Sequence, residues 1–166
     1  MAKGDEIVRY KNRIIKDILC TETDGLSEDI ISAIDPKYLD EEIRYDIVYE
    51  HVFPYLAIPK TEKETKTYIT MAVNMPRVST KNYFFKNMLI TLNVIVHQEK
   101  MKMDGSATRA DYIASKLNRI FNHNKNYGTV SLEYVSDEES VLSIGNSRFF
   151  CRSMRFSCDE INNVRC

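Results

Sequence analysis

The residues best suited to metal-assisted chemistry lie at the end of a long apolar stretch, in the segment His97-Gln98-Glu99-Lys100. When a strand ends in an amide or carboxylate residue and a lysine follows two positions later, a metal ligand lies beside the positively charged lysine. Gln98 and Lys100 have this spacing. Such a pair can hold a divalent cation next to a phosphodiester and stabilise the charge that develops during hydrolysis. The segment therefore raises nuclease chemistry as a hypothesis.

The nuclease hypothesis lacks its second metal ligand. Nucleases of the PD-(D/E)xK type also need an aspartate or glutamate on the preceding strand, because hard oxygen ligands hold the cation. The preceding strand-like stretch offers only neutral groups there, Thr70 and Asn74 among them. The nearest upstream acids, Glu62 and Glu64, come before that stretch begins. A metal-dependent nuclease is therefore the least favoured of the alternatives that the sequence leaves open.

Other catalytic patterns are absent from the sequence. It contains no G-x-S-x-G motif, and its five glycines form neither a P-loop nor a G-x-G-x-x-G turn. The cysteines are scattered, without a C-x-x-C pair or a histidine at zinc-finger spacing: Cys20, Cys151, Cys158 and Cys166. Cys151 and Cys158 alternate with core-like residues, which is typical of packing. We therefore expect no enzyme activity, no metal and no cofactor.

Composition bounds the class of protein. The 166 residues are 43% hydrophobic and 28% charged, which suits a single domain over residues 1–166 with a substantial core. The net charge of -1 excludes a generally basic nucleic-acid coat and gives no reason to expect an anionic membrane as a partner. No apolar run approaches the roughly 20 residues of a spanning helix, and the polar start is unlike a signal peptide. We expect a soluble protein that folds inside the cell.

The first part of the chain, residues 1–65, has the periodicity of helices. Apolar residues recur at spacings of three and four between Ile7 and Leu19, which predicts a first helix with one buried face. A short second helix is predicted at 27–31. Asp40 can cap a third helix that Pro54 ends. The inward positions of this third helix would be Ile43, Ile47, Val48 and Val52.

From residue 66 the apolar period changes to two, which is typical of strands. Strands are predicted at 68–75, 88–98, 129–135 and 148–158, with a short piece at 141–144 that pairs with the last strand as a hairpin. Between the second and third strands, the capping box Thr108-Arg109-Ala110-Asp111 begins a helix. The order predicts an α+β fold: N-terminal helices, then a β-β-α-β-β body (66–166) with an antiparallel or mixed sheet and one helix packed across it.

The two regions differ in charge. Residues 1–65 carry 9 basic and 15 acidic side chains, whereas residues 66–166 carry 14 basic and 9 acidic ones. In a monomer such a split usually means two solvated faces. In a ring of subunits, patches of opposite sign would meet between neighbours and set their orientation.

A longer pattern runs from Lys81 to Phe121. It begins with the aromatic-rich Asn82-Tyr83-Phe84-Phe85-Lys86-Asn87 and continues as a long strand that closes on His97-Gln98. After a short loop, a helix opens with Thr108-Arg109-Ala110-Asp111-Tyr112-Ile113. This pattern resembles the tail-terminator (tail-completion or neck) proteins of long-tailed bacteriophages, in which a strand ending in His-Gln or His-Lys is followed by a loop and a helix beginning Arg-x-Asp-x-Ile/Leu. The β-β-α-β-β order over residues 66–158 is similar to their fold.

The resemblance implies a structural role in the virion. Such proteins form a hexameric ring on the last layer of the tail tube, end its polymerisation and join the tail to the head-side connector. The implied partners are other copies of the chain, the tube protein and the connector, with DNA passing through the lumen without specific binding. The implied location is the neck of a virion that is assembled in the host cytoplasm. A head-completion or stopper protein on the portal side is the alternative.

Seven residues are the candidate contacts under this interpretation. Tyr83, Phe84 and Phe85 would supply apolar anchors between subunits. His97 and Gln98 would fix the loop at 99–107. Arg109 and Asp111 would brace the start of the helix against that loop.

Overall fold

The computed structural model describes residues 3–60, 65–75, 85–105 and 107–161. Its helices and strands follow in the order α1 (Lys3–Cys20), α2 (Leu26–Ile34), β1 (Val52–Phe53), β2 (Thr67–Asn74), β3 (Phe85–His97), α3 (Arg109–Phe121), β4 (Glu133–Ile144) and β5 (Ser147–Ile161). The α+β fold predicted from the sequence is confirmed, since N-terminal helices precede a mixed sheet and a single further helix.

The sheet has the strand order β1-β2-β3-β5-β4. β1 runs parallel to β2, and the other neighbouring pairs are antiparallel. β3 pairs with β5 along its whole length, from Phe85 opposite Ile161 to His97 opposite Phe149. The two edges of the sheet are therefore very different: a two-residue strand at one side and the twelve-residue β4 at the other.

The helices cover one face of this sheet. Alternate residues of β3 point to that face and are fully buried: Met88, Ile90, Leu92, Val94 and Val96. They meet the apolar stripes of the helices, which include Ile14 and Ile18 of α1, Ile30 of α2, and Ile113 and Leu117 of α3. None of the helices within the described ranges is long and apolar enough to cross a membrane.

The predicted third helix, with its cap at Asp40, is wrong. The segment forms two short 3-10 turns, Pro36–Leu39 and Arg44–Ile47, and then enters the sheet as β1. The carboxylate of Asp40 accepts the backbone N–H of Glu42 in a local turn instead of starting an α-helix. Parallel pairing with β2 then stabilises an extended backbone at Val52, so tertiary contacts override the helical spacing.

Strand β4 is continuous where the sequence predicted two separate pieces. It begins at Glu133, not at Thr129, and a bulge at Val135 shifts the register against β5 between Tyr134 and Ser136. The predicted hairpin is confirmed, because Ile144 pairs with Ser147 across a two-residue turn in which Gly145 has a positive φ of 59°. The bulge and the run of acids hide the period of two that would have indicated one strand.

The opposite charges of the two sequence regions meet in part within the chain. Among the described residues, four ion pairs join an acid of residues 1–65 to a base of residues 66–166. They are Glu6–Lys86 at 2.7 Å, Asp29–Lys116 at 2.6 Å, Asp24–Arg119 at 2.9 Å and Glu50–Lys66 at 3.4 Å. The charge split is therefore not merely two solvated faces, since part of it attaches the helical region to the sheet and α3.

Candidate interaction surfaces

Arg109 holds the start of α3 against two other segments. Its Nε donates a 2.6 Å hydrogen bond to the carbonyl of Lys100, and its Nη1 donates to the carbonyl of Ala33 near the end of α2. Its backbone N–H also donates to the carbonyl of Met101 at 2.9 Å. The planar guanidinium suits this role because its donors diverge in a fixed geometry. Arg109 thereby joins α2, α3 and the loop after β3 into one junction, called here the Arg109 junction.

Asp111 extends the Arg109 junction to the β4–β5 hairpin. Thr108 caps α3 by accepting the backbone N–H of Asp111, and its hydroxyl donates to the Asp111 carboxylate at 2.7 Å. The other oxygen of that carboxylate lies 3.2 Å from Nε of Arg152, on β5. Arg152 also reaches Asp137 and Glu139 of β4, at 3.6 and 3.4 Å. Arg152 was not among the predicted site residues, because its partners lie in two separate segments, α3 and β4.

His97 and Gln98 lie at the far end of the same loop. The ring of His97 is buried, contacts Phe149 edge-on with centroids 4.9 Å apart, and accepts the backbone N–H of Glu99 at 3.2 Å. Gln98 is exposed, and its side-chain oxygen accepts the backbone N–H of Arg148 at 3.3 Å. Both residues therefore orient the turn that leaves β3, and His97 does so from inside the chain.

Of the three predicted aromatic anchors, the structure describes only the backbone of Phe85. Tyr83 and Phe84 lie outside the described residues. The backbone of Phe85 begins β3 opposite Ile161. Of the other four candidates, Arg109 and Asp111 come together in the Arg109 junction, while His97 and Gln98 stand at the other end of the loop that follows β3.

The segment that raised nuclease chemistry has no metal-binding cluster around it in the described part of the chain. Across those residues, no group of three or more His, Cys, Asp or Glu side chains could hold a metal ion. Gln98 and Lys100 belong to a 3-10 turn, and the Gln98 side chain already accepts a backbone hydrogen bond. The described residues therefore add no support to the nuclease hypothesis.

A surface that sequence analysis missed lies beside the β1 edge of the sheet. Five large side chains there are between 47 and 67% exposed: Tyr45, Tyr49, Tyr55, Leu56 and Ile58. We call them the aromatic surface. Exposed apolar side chains are ordinary when they occur singly, but a cluster of this kind is a candidate interaction site.

The aromatic surface is attached to the sheet by a series of ring contacts. Tyr49 meets Tyr55 with ring centroids 6.4 Å apart, and Tyr55 meets Phe53 edge-on at 5.5 Å. Phe53 in turn meets the buried Tyr68 of β2 at 6.0 Å. Tyr49 also has a positive φ of 68°, which is unfavourable for a bulky residue. The exposed rings are thus held in place by the fold, and one of them is held against a backbone preference.

Two cavities flank Tyr49 and carry lysines at their rims. One, of about 360 Å³, is lined by Tyr49, Phe53, Tyr55, Lys60 and Lys66 among others, and Tyr49 also lines a second of about 650 Å³. The second is lined by Val8, Lys11, Lys16 and Tyr45 among others. Lys66 pairs with Glu50, whereas Lys11, Lys16 and Lys60 make no ion pair with any described residue. The apolar floor of this surface therefore has a basic border.

Strand β4 is the opposite edge of the sheet and has the opposite charge. None of its twelve residues is buried, and it carries four acids and no base: Glu133, Asp137, Glu138 and Glu139. Asp137 and Glu139 reach Arg152, but Glu133 and Glu138 alternate to the other face and make no ion pair with a described residue. A long exposed edge strand is a template for another chain unless something covers it.

The fold and these surfaces define a class: an α+β protein with one helix-covered sheet whose two edges expose side chains of opposite charge. The chain belongs to the YomW family, whose model matches residues 12–158. The family takes its name from a phage-derived, SPbeta-like protein, which associates the chain with bacteriophages. No curated protein matches the chain.

Proposed function

We propose that the protein is a non-enzymatic structural subunit of a phage virion, similar to tail terminators. In this role, copies of the chain form a ring, hexameric by resemblance, at the head-proximal end of the tail tube. The ring ends polymerisation of the tube and joins the tail to the head-side connector, while DNA passes through its lumen. The proposed location is therefore the virion neck.

The observation that carries this proposal is the unlike character of the two sheet edges. A closed ring needs a head-to-tail contact, in which one surface of a subunit meets a different surface of the next. The aromatic surface and β4 lie at opposite edges of one sheet, so each could face a different neighbour. The phage association of the family supports a virion setting for such an assembly.

The Arg109 junction supports the proposal in a second way. A ring that stops a growing tube must keep the orientation of its contact surfaces under load. Hydrogen bonds from Arg109 and ion pairs from Arg152 connect α2, α3 and the β4–β5 hairpin, so the edge strand is attached to the helices. Charge-assisted contacts of this kind give geometric specificity as well as energy.

Light scattering after size exclusion, with negative-stain images of the same fractions, tests the proposal. We expect six-fold rings, or monomers that form rings only on added tail tubes. A compact monomer that ignores tube ends at high concentration would contradict it. Capture by portal protein instead of tube protein would indicate the stopper alternative. DNA cleavage that needs Mg²⁺ or Mn²⁺ and is lost in Gln98→Ala would revive the nuclease hypothesis.

A further inference from the structure

We propose that the contact between neighbouring copies is made by the aromatic surface of one copy and strand β4 of the next. This inference rests on the proposed ring and names the interface within it. The occupant of the two cavities beside Tyr49 is thus a second copy of this chain, entering with its acidic edge strand.

Charge complementarity is the first reason. Lys16 and Lys60 are exposed at the border of the aromatic surface and pair with no described acid. Glu133 and Glu138 are exposed on β4 and pair with no described base. The other acids of β4 are already engaged by Arg152 in the same chain. The charges left over at one edge therefore match those left over at the other, which is the arrangement that steers and orients association.

Apolar complementarity is the second reason. β4 also exposes three apolar side chains, each by 39 to 53%: Tyr134, Val135 and Val141. The bulge re-aims the strand at Val135. The cavities beside Tyr49 would offer these side chains an aromatic lining. Aromatic anchors surrounded by a charged rim are typical of the residues that dominate binding energy at interfaces.

Self-matching contacts are disfavoured by the same charges. Two β4 strands side by side would set Glu133 and Glu138 against the same acids of the partner. Two aromatic surfaces would set Lys16 and Lys60 against lysines. Like charges placed opposite each other oppose association. Only the head-to-tail combination joins unlike charges, and a head-to-tail contact generates a ring when its rotation closes.

A charge-swap experiment tests the interface. One variant carries Lys16→Glu and Lys60→Glu, and the other carries Glu133→Lys and Glu138→Lys. Each variant alone then has the same prevailing charge at both edges, so we expect each to be monomeric, with self-association weakened at least about tenfold relative to the wild type. When the two are mixed, every contact again joins unlike charges, and we expect mixed rings in light scattering and negative stain.

Matched controls separate this contact from a general charge effect. Two control variants change the same number of exposed charges away from both edges, and both should assemble as the wild type does. One carries Lys102→Glu with Lys125→Glu, and the other carries Glu22→Lys with Glu99→Lys. Circular dichroism and melting curves establish that every variant is folded. Rings that persist in either swapped variant, or monomers that stay apart on mixing, would overturn the inference and leave the proposed ring intact. A wild type that never assembles, with or without tubes, would overturn both.

Discussion

The Arg109 junction and the aromatic surface differ both in residue type and in where their side chains point. In the junction, Arg109, Asp111 and Arg152 direct their charged groups to partners within the chain. On the aromatic surface, Tyr49 and its neighbours face outward although the fold has apolar cavities beside them. The junction side chains therefore have their partners within the chain, whereas the fold leaves the rings of the aromatic surface exposed.

The two regions are close enough for one to influence the other. A cavity of about 410 Å³ is lined by Arg109 and Lys100 on the junction side and by Glu50, His51 and Lys66 on the side of the aromatic surface. His51 extends the aromatic contacts inward, since its ring lies 6.4 Å from that of Tyr68. We therefore expect changes in the Arg109 junction to alter stability and changes on the aromatic surface to alter assembly.

The largest effect on stability is expected for Arg109→Ala. The substitution removes both side-chain hydrogen bonds and leaves two carbonyls without these donors, so we expect a loss of about 2–3 kcal/mol in the free energy of unfolding. Urea denaturation measures it. Arg119→Ala is the matched control, because Arg119 forms an exposed ion pair with Asp24 and should cost less than about 1 kcal/mol. Equal losses at the two arginines would remove the distinction between the junction and an ordinary surface.

A smaller effect on stability, but a large one on assembly, is expected for Tyr49→Gly. Glycine adopts a positive φ without steric cost, so the substitution should raise the free energy of unfolding by up to about 1 kcal/mol or leave it unchanged. The same change removes the side chain that lines both cavities, and we expect assembled subunit rings to be lost in light scattering. Tyr49→Phe keeps the aromatic ring and should assemble as the wild type does. A Tyr49→Gly variant that still forms rings would move the contact away from this surface.

The sheet and the long helices could be predicted from the sequence because each has an unbroken apolar period. The alternation of apolar residues along β3 indicates a strand, and the apolar stripe of α3 indicates a helix. The Thr108 cap marks where that helix begins. The segment after Asp40 could not be predicted this way. Its spacing fits a helix, but the positive φ of Tyr49 and pairing with β2 are tertiary features. Local pattern and global fold disagree there.

The candidate site was predicted less completely than the fold. Arg109 and Asp111 could be found because a capping motif marks the start of their helix. Arg152 could not, since alternation on β5 indicates only which face it occupies. The aromatic surface could not be found either, because exposure of Tyr45 or Tyr55 depends on how Pro54 and its neighbours turn past the sheet edge. Clustered tyrosines in a proline-containing loop were the only available signal.

The smallest effect is expected from protonation of His51, which lies between the two regions. Burial lowers the pKa of His51 below its ordinary value of 6.5, and the nearby charges of Lys66 and Lys37 lower it further. The hydrogen bond to the carbonyl of Thr67 and the carboxylate of Asp35 raise the pKa, but they do not outweigh burial. The unfolded chain therefore binds a proton first as the pH falls, so stability should decrease below about pH 6.5. His51→Asn removes the titration and places an amide where the ring donates to Thr67. Its free energy of unfolding, measured by urea denaturation from pH 7.5 to 5, should fall less steeply than that of the wild type. If the free energies of unfolding of the two proteins changed with pH in parallel, His51 would not contribute to acid sensitivity.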